Sequence, residues 1–86
     1  MNEQPKFIEK AKDTYRFHRE KLLSNDNWNS TKTAKALRRS IGSINEDLQI
    51  ARWCKTHEKQ IERFKYTYEA LEYIREMKNK QELDEV

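Results

Sequence analysis

Residues 30–55, STKTAKALRRSIGSINEDLQIARWCK, contain two helical patterns separated by a break. Each pattern repeats apolar side chains at spacings of three or four residues, so each forms one inward face of an α-helix. The residues of these faces are Ala34 and Leu37 in the first pattern, and Ile44, Leu48 and Ala51 in the second. Residues 38–43, RRSIGS, lie between the patterns and include the one glycine of the chain. The stretch therefore predicts a helix, a tight turn and a second helix.

Two helices joined by a tight turn are the plan of the helix-turn-helix motif, whose second helix reads the major groove of double-stranded DNA. The small side chain of Ala34 permits the close crossing of the two helices that this motif requires. The offset from Ala34 to Ile44 also matches the usual offset between the two buried anchor positions of the motif. Residues 30–55 are therefore predicted to be a DNA-reading unit.

The same stretch resembles a known family through TAKAL at residues 33–37, Ser40, and INEDL at residues 44–48. These residues look like the helix-turn-helix of ParB-like partition proteins and related phage and plasmid regulators, over about residues 28–74. The chain departs from that family at Arg38, where the family usually has Gly, and a left-handed residue there costs about 1 kcal/mol. The chain is also too short for the nucleotide-binding domain of full partition proteins. The resemblance thus implies the DNA-reading unit and not partitioning itself.

The composition of the 86-residue chain favours one all-α domain over residues 1–86, with about five helices around the helix-turn-helix core. Gly and Pro occur once each, and residues that favour helices are abundant. No apolar run approaches the roughly 20 residues of a membrane span. The lone Cys54 excludes an internal disulfide and fits a reducing compartment. The predicted location is the cytoplasm of a bacterial or phage-infected host cell, in association with the nucleoid.

Charge is unevenly distributed along the chain. Residues 30–65 hold nine Lys and Arg against four Asp and Glu, a net charge of +5. Residues 1–29 hold six against five, and residues 66–86 hold three against six, giving net charges of +1 and −3. A positive centre is typical of a protein that binds a polyanion such as nucleic acid. The acidic C-terminal region offers a surface to a protein partner.

Helical spacing predicts further helices on both sides of the reading unit, over residues 5–23, 57–64 and 68–81. Thr56 and Thr67 are predicted to cap the last two of these. The inward face of the first helix is predicted to contain Phe7, Ile8, Ala11, Tyr15, His18 and Leu22. Trp28, Trp53 and Cys54 are interpreted as core residues.

Two N-caps within the reading unit have competing candidates. Ser30 is predicted to cap a helix over residues 31–38, with Asn29 as the alternative. Ser40 is predicted to cap the second helix because this register keeps Ile44 and Leu48 inward. The alternative is Ser43, which with Glu46 has the spacing of a capping box. With Ser40 as cap, Glu46 faces outward and is able to accept a hydrogen bond from a cytosine amino group.

The predicted DNA contacts divide into two sets according to their chemistry. Amides form bidentate pairs with adenine, and carboxylates accept from cytosine, whereas cations and hydroxyls suit phosphates. The predicted base contacts are Ser43, Asn45, Glu46 and Gln49, with Arg52 at the far edge. The predicted phosphate contacts are Ser30, Thr31, Thr33, Lys35, Arg38 and Arg39.

We therefore predict a small transcriptional regulator or accessory protein of phage or plasmid type that binds double-stranded DNA as a homodimer. The first and last helices are the expected dimer interface. The alternative is a protein-interaction adaptor built on the same scaffold, with Glu46 and Asp47 meeting a basic partner. No catalytic residue, cofactor or metal site is predicted, since two His and one Cys do not form a zinc site.

Overall fold

The computed structural model describes residues 5–84, with side chains to Lys80, and this part of the chain is helical with no β-strand. Its four helices are α1 (Lys6–Ser24), α2 (Ser30–Leu37), α3 (Ile41–Ile61) and α4 (Thr67–Asp84). The prediction of an all-α fold is confirmed. Within the described residues, no helix combines the length and the apolar character needed to cross a membrane.

The number of helices differs from the predicted five because α3 absorbs the short helix predicted from Thr56 onward. The backbone leaves helical geometry at one residue only, His57, with φ −127° and ψ 29°. The predicted break is thus a kink, one residue beyond Thr56, after which the helix resumes and ends at Ile61. Ile61 is fully buried, so burial of its side chain holds the resumed turn against the core.

Helix α3 is the centre of the fold because α1, α2 and α4 all pack against it. Two groups of buried side chains form the core. The larger comprises Phe7, Ile8 and Ala11 of α1, Ile50, Ala51, Cys54 and Ile61 of α3, and Ala70 and Ile74 of α4. The smaller comprises Ala34 of α2 with Ile44 and Leu48 of α3. The predicted inward residues of the reading unit are therefore buried, with Leu37 half-buried against the smaller group.

The buried face of α1 differs from its predicted composition at two positions. Leu22 is exposed, contrary to the prediction, because it belongs to the last turns of α1, beyond the buried residues of the helix, which end at His18. Thr14 is buried instead, and its hydroxyl lies 2.8 Å from the carboxylate oxygen of Asp47 on α3. The polar pair of Thr14 and Asp47 thus forms part of the contact between α1 and α3. The spacing of apolar residues in the sequence does not predict this pair.

Helix α4 begins with a carboxylate cap that differs from the predicted Thr67 cap. The side chain of Glu69 accepts hydrogen bonds from the backbone N–H groups of Lys65 and Tyr66, at 3.2 and 3.1 Å. This is the reciprocal half of a capping box, in which the third helical residue reaches back to the cap. Thr67 is the first residue of the helix. The acidic C-terminal region predicted to meet a protein partner includes exposed Glu72 and Glu76 on α4, and its last acidic residues, at 82–86, lie outside the described side chains.

Candidate nucleic-acid interface

Helices α2 and α3, here called the helix pair, are joined by a connection of three residues. Helix α2 ends at Leu37 and α3 begins at Ile41. Ala34 of α2 packs against Ile44 and Leu48 of α3, and all three side chains are buried. The small Ala34 brings the two helix backbones close together, which fixes the outward face of α3 relative to α2.

Arg38 ends α2 in the left-handed conformation, with φ 56° and ψ 46°. Its N–H donates to the carbonyl of Lys35 at 3.3 Å, and the N–H of Arg39 donates to the carbonyl of Ala34 at 2.9 Å. This pair of bonds is the Schellman motif, which satisfies carbonyls at a helix C-terminus. Arg38 thus performs the conformational role that Gly usually has, and its side chain is exposed to solvent.

The two open N-cap choices are resolved by hydrogen bonds. The side chain of Asn29 accepts from the N–H of Lys32 at 3.0 Å, so the alternative to Ser30 is the cap of α2. The hydroxyl of Ser40 accepts from the N–H of Ser43 at 3.1 Å, so the predicted Ser40 is the cap of α3. The capping box from Ser43 therefore does not form, and Glu46 is exposed.

Arg39 is held inside the protein, and its predicted phosphate contact is corrected on that ground. Its Nη2 lies 2.8 Å from Oδ2 of Asp47, and its side chain is only 20% exposed. Its Nη1 donates to the hydroxyl of Thr14 at 2.9 Å, and Nη2 also donates to the hydroxyl of Ser43. The guanidinium therefore ties the connection between the helix pair to α1 and to α3.

The same ion pair changes two other assignments. Ser43 is half-buried, and because its hydroxyl already accepts from Arg39, its proton and one lone pair remain for a base. Asp47 is buried, with a side chain that is 5% exposed, so it is withdrawn from the surface that would meet a basic protein partner. Buried carboxylates need such a cation, because an unpaired charge in the interior is strongly unfavourable.

Thr33 is fully buried, so its predicted phosphate contact is also corrected. Its hydroxyl accepts a hydrogen bond from Nε1 of Trp28 at 2.7 Å and lies 2.6 Å from Nδ1 of His18. Burial lowers the pKa of His18, and the positive charge of Arg52 lowers it further. The hydroxyl of Thr33 and Nδ1 of His18 share one hydrogen bond, whose donor is set by the tautomer of the imidazole, so the side chains of α1, Trp28 and α2 form a connected chain.

The outward face of α3 keeps its other predicted base contacts accessible. Asn45, Glu46 and Arg52 are exposed, and Gln49 is half-buried. Among the described residues, no intramolecular hydrogen bond occupies the amide of Asn45 or Gln49. Both amides retain a donor and an acceptor, which is the combination that pairs with the edge of adenine.

A polar groove of about 430 Å³ lies along this outward face. It brings together four residues that the sequence assigns to DNA contacts, with side chains from α4 and the core edge. Its lining comprises Ser30, Asn45, Leu48, Gln49, Arg52, Trp53 and Lys78. Lys78 was not predicted here, because the approach of α4 to α3 depends on packing between residues far apart in sequence. No spacing in the chain signals it.

Four of the predicted phosphate contacts remain at the surface of α2 or its C-terminal cap. Thr31, Lys35 and Arg38 are exposed, and Ser30 is half-buried at the end of the polar groove. Thr31 and Ser30 lie in the first turn of α2, whereas Lys35 and Arg38 lie at its C-terminal end. The proposed backbone contacts therefore extend along α2 from end to end.

Other chemistry in the described residues is limited. No group of three or more His, Cys, Asp or Glu residues there is arranged to hold a metal ion. Cys54 is buried in the larger core group, and this burial raises the pKa of its thiol. A thiol with a raised pKa is a weak nucleophile at neutral pH. The position of Cys54 is therefore explained by its packing in the core.

Comparisons with protein-family models, with curated proteins and with solved structures returned no match to this chain. The residues and geometry of the helix pair are therefore the basis for assigning a function. The resemblance to ParB-like proteins remains a likeness of the quoted residues.

Proposed function

We propose that this protein binds double-stranded DNA in a sequence-specific manner, as a small transcriptional regulator or accessory protein of phage or plasmid type. The observation that carries the proposal is the outward face of α3, where Asn45, Gln49 and Arg52 line one accessible groove. Ile44 and Leu48 anchor α3 to α2, and Leu48 also borders this groove. Buried side chains thus fix α3, while the exposed side chains beside them offer hydrogen-bonding groups to a partner.

The chemistry of the exposed side chains suits base edges in the major groove. Asn45 and Gln49 are four residues apart on one helix, so their amides lie one turn apart and address neighbouring base pairs. Each is suited to a bidentate pair with adenine, worth about 1–3 kcal/mol of discrimination. Glu46 is suited to accept from cytosine, and Arg52 lies at the far edge of the face.

Helix α2 supports the proposal through its exposed polar side chains. In DNA readers of this plan, the first helix crosses the phosphate backbone while the second enters the major groove. Lys35 and Arg38 are exposed cations at the end of α2, and Thr31 is an exposed hydroxyl at its start. These are the groups from which phosphate contacts ordinarily come.

The test is selection of duplexes from a random pool with the purified full chain. Enrichment of one motif supports sequence-specific reading, and its affinity should exceed that for a scrambled duplex by at least about 1,000-fold, as is typical of specific binders. Binding without enrichment would reduce the protein to a non-specific DNA binder. No binding at low salt would overturn the proposal.

A second candidate function, the protein-interaction adaptor, is favoured by one observation. Ile41 is 47% exposed at the start of α3, and Glu46 is exposed one turn further on. Exposed apolar and acidic side chains within the first two turns of one helix suit a partner with a basic and apolar surface. Asp47 takes no part in this surface because it is paired with Arg39. The adaptor would be favoured if the duplex selection fails and the protein instead binds a defined basic peptide specifically. Glu46→Lys should then abolish the binding of that peptide.

We also propose that the DNA-binding form is a homodimer. A single module buries only about 600–1,000 Å² on DNA, and dimers of such readers engage two half-sites. Leu23 is 80% exposed and Leu22 is 46% exposed near the end of α1. These leucines are a candidate contact between copies. Sedimentation with and without the selected duplex, on the wild type and on Leu23→Ser, tests this arrangement.

A further inference from the structure

The groove beside α3 has walls from three helices, and one wall carries a cation with no assigned role. Lys78 of α4 lines the same groove as Ser30 of α2 and as Asn45, Gln49 and Arg52 of α3. Lys78 and Arg52 thus approach one concave surface from different helices. No Asp or Glu is present among the described residues that line it.

The arrangement of charge in this groove favours an anion. Two cations that share a surface repel each other, and a bound anion removes that repulsion. The ammonium group of Lys is a compact charge on a flexible stem with three donors, and Lys is among the residues that commonly contact backbone phosphates. Ser30 adds a hydroxyl at the α2 end of the groove.

We propose that this groove holds a backbone phosphate of the bound duplex, with Lys78 as its principal contact. This inference rests on the proposed function, and it makes α4 part of the DNA interface. The amides of Asn45 and Gln49 address the bases, and Lys78 holds the strand that runs beside them. The interface is thus formed by α2, α3 and α4, although the helix pair alone determines which bases are read.

The contact has a measurable electrostatic signature. Each phosphate neutralised on duplex DNA contributes about −0.9 to the slope of log affinity against log salt. Lys78→Ala should therefore flatten the slope by about 0.9. If the contact is energetically neutral at 1 M salt, affinity falls by roughly 8-fold at 0.1 M and roughly 4-fold at 0.2 M, from the same slope.

The control is Lys80→Ala, which removes the same charge from the same helix. Two residues along a helix correspond to about 200° of rotation, so Lys80 points away from the side of α4 that carries Lys78. Lys80 is exposed and does not line the groove. Affinity and slope should be unchanged in this variant, and Lys78→Arg should retain most of the wild-type slope. Circular dichroism confirms that each variant is folded.

A second measurement locates the phosphate itself. Methylphosphonate substitutions, placed one at a time along the selected duplex, remove single backbone charges. At one position the substitution should weaken wild-type binding and have no effect on Lys78→Ala. Two outcomes in which the wild type binds duplex would refute the phosphate contact while the proposed function stands. In the first, Lys78→Ala keeps the full salt slope. In the second, Lys80→Ala flattens the slope as much as Lys78→Ala does. If the wild type binds no duplex, both are refuted.

Discussion

At the scale of single residues, the ion pair between Arg39 and Asp47 holds the helix pair in place. Arg39 lies in the connection between α2 and α3, and Asp47 lies in the second turn of α3. The hydroxyl of Thr14 bonds both groups, so a residue of α1 completes the pair. A guanidinium and a carboxylate removed from water are stable only with such partners, because removal of one leaves the other uncompensated.

Asp47→Ala is therefore expected to destabilise the protein by about 3 kcal/mol, the low end for a broken buried pair. The low end of the range for buried pairs applies because the Arg39 side chain is 20% exposed and is therefore partly hydrated after Asp47 is removed. Glu46→Ala removes the neighbouring exposed carboxylate and should change stability by no more than about 0.5 kcal/mol. Urea denaturation of the two variants provides the comparison. Equal stability of both would show that the ion pair adds little to the fold.

Arg38 combines a strained backbone with an exposed charge, and two substitutions separate these properties. A left-handed non-glycine residue costs about 1–2 kcal/mol, and Gly relieves this cost. Gly also gives the unfolded chain more conformational freedom, which lowers the stability of the folded protein by about 0.4–1 kcal/mol. Arg38→Gly should therefore raise stability by about 0–1.6 kcal/mol. Arg38→Ala keeps the strain and should not raise it. Both variants lose one proposed phosphate contact, so their DNA affinities should fall together. A gain in thermal stability by Arg38→Ala would contradict the strain argument.

At the scale of elements, local chemistry predicts the cap of α3 but not the starts expected at Ser30, Thr56 and Thr67, and it predicts long-range partners poorly. Ser40 caps α3 as predicted, because the cap bond joins residues three positions apart. The roles of Thr33 and Arg39 are not predictable in this way, since their partners include His18 and Thr14 on α1. A hydroxyl or cation at a helix surface has the same local pattern whether it faces solvent or a neighbouring helix. The sequence therefore predicts most of the outward face of α3 but misassigns part of α2 and its turn.

The outward face of α3 yields the sharpest functional prediction. Asn45→Ala and Gln49→Ala should each weaken binding to the selected duplex by roughly 5- to 150-fold, the factor implied by 1–3 kcal/mol per base. Binding to a scrambled duplex and the salt slope should stay unchanged, because neither amide carries charge. Gln60→Ala is the matched control, since Gln60 is an exposed amide on the same helix beyond the kink.

Titrations of these variants at two salt concentrations against both duplexes provide the measurement. Each of the two amide variants should relax preference at a different base pair, because the residues are one turn apart. Equal losses on the selected and scrambled duplexes, or no loss on either, would mean that this face does not read bases. The adaptor would then be the better explanation of the exposed face.

At the scale of the whole molecule, His18 connects the stability of the fold to pH. It is buried on α1 and bonded to Thr33, which also accepts from Trp28, and Arg52 is the charged group that acts on it. Burial lowers its pKa in the folded state below the ordinary value of about 6.5. The unfolded chain therefore binds a proton in a pH range where the folded chain does not.

The contribution of neutral His18 to the free energy of unfolding should be fully present above about pH 6.5. It should be lost as the pH falls below that value, because the unfolded chain binds the proton more tightly than the folded chain. Thermal unfolding between pH 7.5 and pH 5 measures this, above the range in which most carboxylates titrate. His18→Gln should have a shallower dependence on pH, whatever its absolute stability. A wild-type slope in His18→Gln would assign the effect to another group.

The two sides of α3 have a consequence for how proteins of this design diverge. The side chains that hold the helices together, Ile44 and Leu48, and those proposed to choose the target, Asn45 and Gln49, alternate along one helix. They share a backbone, and of the first set only Leu48 borders the groove that Asn45 and Gln49 line. On the proposed function, substitutions at the second set would change the DNA sequence that is bound and would leave the buried interior intact. New targets would then be acquired by single substitutions, without prior stabilising changes.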